Sequence, residues 1–158
     1  MIKEVIERVR SSFTRALAAA LAAAFAFWAS RQLLGHEQPV FAAISALICL
    51  APGIPSHIRQ GFGLIVGVTL GILIGEIALT VPNEYAEIRL ASATFIAMII
   101  ACTFGMPPVV PIQAGASAML VLLMGPQTAG FVRFLDVVIG VTTGLVVAFV
   151  FFRERLKF

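Results

Sequence analysis

The chain has 158 residues, 60% of them hydrophobic and only 12% charged, with 11 Lys+Arg against 8 Asp+Glu. A soluble domain carries roughly a quarter of its residues as charges, and here the eight prolines and thirteen glycines lie within apolar runs. A soluble domain and a disordered chain are excluded on this arithmetic, and about six spans leave little length for an internal enzyme or nucleic-acid module. What remains is an all-α polytopic membrane protein, with about six membrane segments at roughly 20 residues each. The net charge of +3 is then a matter of topology rather than of nucleic-acid affinity.

Residues 2–13 (IKEVIERVRSSF) put Ile2, Val5, Ile6, Val9 and Phe13 on one helical face and most of their charges opposite. This predicts an amphipathic helix lying on an anionic membrane surface. Residues 16–34 form an Ala-rich first span with Trp28 as an interfacial anchor. Its basic start also suits a signal peptide, but five further apolar segments favour an uncleaved span. The second segment, residues 39–51, lies between Gly35 and Pro52. At 1.5 Å per residue it reaches only about 20 Å, against about 30 Å of hydrocarbon. Span three covers residues 58–80 and span four residues 88–105. The fifth segment, between Pro111 and Pro126, is short again, and span six covers residues 132–152 before the basic tail 153–158.

Six crossings put both ends on one side, together with Lys3, Arg8, Arg10, Arg15, Arg59, Arg153, Arg155 and Lys157; Arg31, Arg89 and Arg133 fall on the other. The positive-inside rule places the richer side, and both termini, in the cytoplasm of a bacterial-type inner membrane. Glu37, Glu76, Glu84 and Glu87 gather toward the outer side.

An internal repeat organises the chain. Gly67-Val68-Thr69-Leu70-Gly71 matches Gly140-Val141-Thr142-Thr143-Gly144 at an offset of 73, each run following an arginine, Arg59 or Arg133. Ser45-Ala46-Leu47 and Pro39 have their echo in Ser117-Ala118-Met119 and Pro111. Two three-helix halves, residues 16–80 and 88–152, are implied. Because three is odd, the second half enters the membrane inverted, as in many secondary transporters whose sites lie beside interrupted helices. The stripe Gly63, Gly67, Gly71 and Gly75, with its weaker partner Gly140 and Gly144, suits close helix packing. A pore lining that leaves room for solute is the other reading.

Charge at membrane depth is costly, which makes each such residue a functional candidate. Arg59 and Arg133 offer paired, permanently charged donors suited to carboxylates, although snorkelling anchors would look the same. Asp136, three residues after Arg133, and Glu76, inside an apolar stretch, are the proton-carrier candidates. Gln60, Gln113 and Phe41 lie near the short segments, where they could contact solute or serve packing and helix ends. Cys49 and Cys102 read as small packing residues in apolar runs, and His36 and His57 as solvated residues flanking spans. With no CxxC pair or Cys/His cluster, neither metal nor cofactor is expected. The absence of any nucleophile elbow, zinc-protease helix or phosphate loop argues against an enzyme.

The run TRALAAALAAAFAFWASRQLLGHEQPVFAAISALICLAPG, followed by RQGFGLIVGVTLGILIG, resembles the opening of the fusaric acid resistance and aromatic acid exporter superfamily. Pro39, Phe41, Ala42, Ser45 and Ala46 match that superfamily's Pro-aromatic-Ala-x-x-Ser-Ala element, and Arg59, Gly67 and Gly71 its Arg-led glycine helix. Span six, with Arg133, Asp136 and Gly140, is similar to its Arg-x-x-Asp-x-x-x-Gly close. Plant aluminium-activated malate channels look like distant relatives. The resemblance implies a six-span domain, dimeric in the lipid bilayer, that exports or conducts organic anions along basic residues. Relatives usually add a cytoplasmic domain and often a second membrane domain; if two membrane domains are required, a sequence stopping at Phe158 implies self-assembly. The expected function is proton-driven export of small, aromatic carboxylates by a homodimer, the alternatives being a passive anion channel and a non-transporting assembly subunit.

Overall fold

The computed structural model of the chain describes residues 2–35, 38–51 and 56–151. Among them there are helices and no strand. The helices are α1 (Ile2–Leu34), α2 (Val40–Cys49), α3 (His57–Ala78), α4 (Ala86–Cys102), α5 (Val109–Met124), α6 (Pro126–Ala129) and α7 (Phe131–Phe151), with a 3-10 turn at Asn83–Tyr85. Three stretches are long and apolar enough to cross a membrane: Ile6–Leu34, His57–Ala78 and Pro126–Phe151. The 10 residues of α2 reach only about 15 Å. The 16 of α5 reach about 24 Å.

Two expectations about elements change. The amphipathic stretch and the first span are one continuous helix of 33 residues, roughly 50 Å long. No glycine or proline separates the polar start from the Ala-rich run, so a change in polarity is not a change in backbone. Pro111 lies inside the first turn of α5 rather than before the helix. It is tolerated there because the first-turn N–H groups have no intrahelical acceptor to lose.

The packing inverts the soluble rule: small residues face in and large apolar ones face out. On α1, Ala19, Ala22 and Ala26 are buried while Leu21, Phe25 and Trp28 are exposed. On α4, Ala93, Ala97 and Ala101 are buried while Ile88, Phe95 and Ile99 are exposed. In water such a surface would aggregate, whereas in lipid it is solvated and the alanines let backbones approach closely.

The chain forms two compact units, Met1–Gly61 with Ile139–Phe158, and Phe62–Val138. Helices α3 and α7 each contribute to both units. In the first unit the core is made by Ala19, Ala22 and Ala26 of α1, by Ala42 and Ala46 of α2 with Leu50 at its C-terminal end, and by Ala148 of α7. His57 Nδ1 donates to the Cys49 carbonyl at 2.8 Å, and Cys49 Sγ donates to the His57 carbonyl at 3.6 Å. His57 is therefore buried and bonded rather than solvated; His36 lies outside the described residues. In the second unit the core is Ala97 and Ala101 of α4 with Val110, Ala114 and Ala118 of α5.

Candidate functional site

Both units contain a seam in which a glycine-bearing long helix lies against a short one. In the second unit, Gly67 of α3 faces the Val110 carbonyl and Gln113 Cβ of α5. One turn on, Gly71 faces the Ala114 carbonyl and Ser117 Cβ, and Gly75 faces Val121. In the first unit, Gly140 of α7 faces the Ala42 carbonyl and Ser45 Cβ of α2, and Gly144 faces Cys49 Cβ. A Cβ on Gly71 or Gly140 would collide with a main-chain oxygen, which cannot rotate away as a side chain can. The glycines thus set how closely these backbones approach.

The second unit's seam brings a polar cluster with it. Gln113 and Ser117 stand one turn apart on α5, so they share a face. Arg133 and Asp136 are three residues apart on the first turns of α7. All four side chains are buried, Arg133 to 4% exposure and Asp136 to 2%. Arg133 Nη2 donates to Gln113 Oε1 at 3.3 Å, while the Ser117 hydroxyl makes no hydrogen bond among the described residues. A guanidinium enclosed by apolar helices is an expensive feature that packing alone does not call for. It supplies a fixed positive charge and a planar fork of N–H donors matched to carboxylate.

The other sequence candidates fall elsewhere. Arg59 belongs to the first unit and is exposed, with Gln60 half-buried beside it in sequence. Phe41 is half-buried on α2. Glu76 is exposed rather than enclosed by its apolar neighbours, since it lies in the last turn of α3 near the polar turn. It lines a cleft of about 290 Å³ with Thr69, Phe131 and Phe134, whose two phenyl rings stack with centroids 6.3 Å apart. A Cβ on Gly130 would meet the Pro126 carbonyl first and would lie 3.3 Å from Glu76 Oε1. Sequence reasoning missed Ser117 as part of the cluster, although its i+4 spacing from Gln113 was a usable signal. It also missed the Phe131–Phe134 wall, which no motif marks.

Helices turned inside out, with glycine seams and a buried arginine, define a membrane protein of the multi-pass helical class. The chain belongs to the fusaric acid resistance protein-like family, whose model matches residues 21–147. It is 28% identical over 143 residues to an uncharacterized protein of Corynebacterium glutamicum, covering 89% of this chain and 36% of that protein. It is also 28% identical over 153 residues to proteins of Mycobacterium tuberculosis and Mycobacterium bovis named "Putative arylamide transporter", covering 93% of this chain and 42% of theirs. The chain therefore spans about two fifths of the length of the curated relatives it matches. No solved structure matches it significantly.

Proposed function

We propose that this chain forms the membrane part of a transporter that moves small aromatic carboxylates outward across a bacterial-type inner membrane, driven by protons. The observation that carries the reading is the buried Arg133, bonded to Gln113 and one turn from Asp136. Arg133 receives the carboxylate, Gln113 holds the guanidinium in place, and Asp136 takes up and releases the proton. Arg59, exposed, attracts anions from the aqueous side and contributes less. The Phe131–Phe134 wall and half-buried Phe41 suit an aryl group, and Glu76 offers a second, accessible proton carrier. Relatives bearing an arylamide transporter name support an aryl solute.

The fold enters this reading as two inverted halves, with both termini cytoplasmic. The matched seams Gly71 against α5 and Gly140 against α2 support the repeat. Assembly as a homodimer belongs to this reading, and the exposed apolar residues of α1 offer a surface for it.

Flux in proteoliposomes tests the proposal. An imposed pH gradient should drive labelled benzoate across the bilayer. Arg133→Ala should cut that flux roughly a hundredfold, the scale of removing one partner from a buried charged contact. Asp136→Asn should leave exchange intact while abolishing the response to the gradient. Benzoate current that reverses at its Nernst potential, with no pH coupling, would identify a channel instead. No flux of any aryl acid would leave an assembly subunit.

A further inference from the structure

A cleft of about 630 Å³ in the second unit lies between the end of α3 and the face of α4. Ile74, Ile77, Ile88, Ile96 and Ile100 form its walls. One end is polar. There Arg89, half-buried, donates from Nη1 to the Val81 carbonyl at 2.9 Å, and the exposed Tyr85 ring stands beside it. Of the cleft's side chains, the Thr80 hydroxyl donates to Ile77 O at 2.7 Å and the Ser92 hydroxyl to Arg89 O at 3.1 Å. The nearby carboxylates Glu84 and Glu87 are exposed and do not line it. The groove is thus an apolar trough with the Arg89 guanidinium, held by the Val81 carbonyl, at its head.

We infer that this trough is a binding site for an anionic phospholipid, with the phosphate on Arg89 and one acyl chain between α3 and α4. Length decides for lipid over a compact aromatic acid. From Arg89 to Ile100 is eleven residues of α4, roughly 16 Å. That is the depth of one leaflet, half of the roughly 30 Å hydrocarbon thickness. The volume agrees, since about 150 Å³ suffices for benzene and an aryl acid would leave most of the trough empty. The isoleucine walls ask for an aliphatic chain and provide no polar group to orient a second functional group on a solute. Charge decides for an anionic headgroup. The guanidinium presents a planar fork of donors suited to phosphate, and its bond to Val81 holds that fork at the trough's mouth. The site shares no lining residue with the Arg133 cluster and does not depend on which solute that cluster handles.

Native mass spectrometry of the detergent-solubilised protein tests this with dioleoyl phosphatidylglycerol, dioleoyl phosphatidylcholine and benzoate as probes. The wild-type chain should retain one phosphatidylglycerol in preference to phosphatidylcholine. Arg89→Ala should weaken phosphatidylglycerol by about tenfold and erase the preference, as expected for losing a charge-assisted contact. Ile96→Trp, which fills the trough without touching the cation, should reduce retention of both lipids. Circular dichroism checks that each variant keeps its helices, and either variant alone suffices if the other fails to fold. Undiminished phosphatidylglycerol in a folded variant, or equal retention of the two lipids by the wild type, would overturn the assignment. Displacement of the lipid by millimolar benzoate would give the trough to solute, and disulfide cross-linking of two Ser92→Cys chains would give it to a second copy; both outcomes also overturn it.

Discussion

The two short helices, α2 and α5, are packed alike and equipped differently. Each offers an alanine carbonyl and a serine Cβ to a glycine on a longer helix, Ala42 and Ser45 to Gly140, Ala114 and Ser117 to Gly71. Yet the residue preceding the alanine is Phe41 on α2 and Gln113 on α5. Gln113 accepts a hydrogen bond from the buried Arg133, which is one turn from the buried Asp136 on α7; next to Phe41 in sequence, Ala42 belongs to a core of alanine and leucine. The frame therefore does not create the polar cluster. One backbone geometry, set by glycine, carries either a greasy or a charged interior according to a single neighbouring position.

The largest effect should come from breaking the frame itself. Gly71→Leu and Gly140→Leu each push a side chain into a main-chain carbonyl, and each should cost about 3 kcal/mol or more. Thermal unfolding in detergent would register both as severe losses. Gly63→Ala is the control: its nearest obstacle is Val110 Cγ2 at 2.9 Å, a side chain able to move, so its loss should be far smaller. If either leucine variant unfolds like the wild type, the two seams are not equivalent.

Much of this frame is legible in the sequence, because glycine every fourth residue on an apolar helix has few uses besides close approach. Its register is less so. Sequence matching pairs Gly67 with Gly140, whereas the contacts give Gly140 the same partners as Gly71, one turn further on. A stripe that repeats every four residues looks the same after sliding by four, so only the partner helix can say which glycine meets which carbonyl. The cluster was half legible. Arg133, Asp136 and Gln113 stand out as polar residues in apolar runs, but their proximity depends on how α5 and α7 pack within one unit. Glu76 and His57 were misjudged for a related reason. Depth along a helix does not say which way the side chain faces, so Glu76 is exposed and His57 is buried against the Cys49 carbonyl.

A middle-sized effect should distinguish the two equipped positions. Gln113→Leu removes the acceptor bonded to a buried guanidinium, at a cost of about 1.5–3 kcal/mol. Benzoate flux should fall roughly tenfold, because the Arg133 fork is no longer held. Phe41→Leu, the matching change on α2, exchanges one apolar side chain for another and should cost less than about 1.5 kcal/mol. Its flux measurement sharpens the comparison: unchanged transport confines the chemistry to α5, and a raised KM for aryl acids alone would bring Phe41 into solute contact.

The smallest effect concerns the serines. Ser117 is fully buried, and its hydroxyl makes no hydrogen bond among the described residues. A hydroxyl withdrawn from water without a partner costs free energy, on the order of 1 kcal/mol or more. Ser117→Ala should therefore leave the unfolding temperature unchanged or raise it slightly. Ser45→Ala, the same deletion at the matching place on α2, controls for the lost volume. The informative reading is the pair of stability and flux. If Ser117→Ala is at least as stable as the wild type but carries benzoate more slowly, the hydroxyl's partner is the solute, and the orphan group marks where the carboxylate passes Arg133. If stability and flux are both untouched, Ser117 belongs to the frame alone, and the difference between the short helices narrows to Gln113.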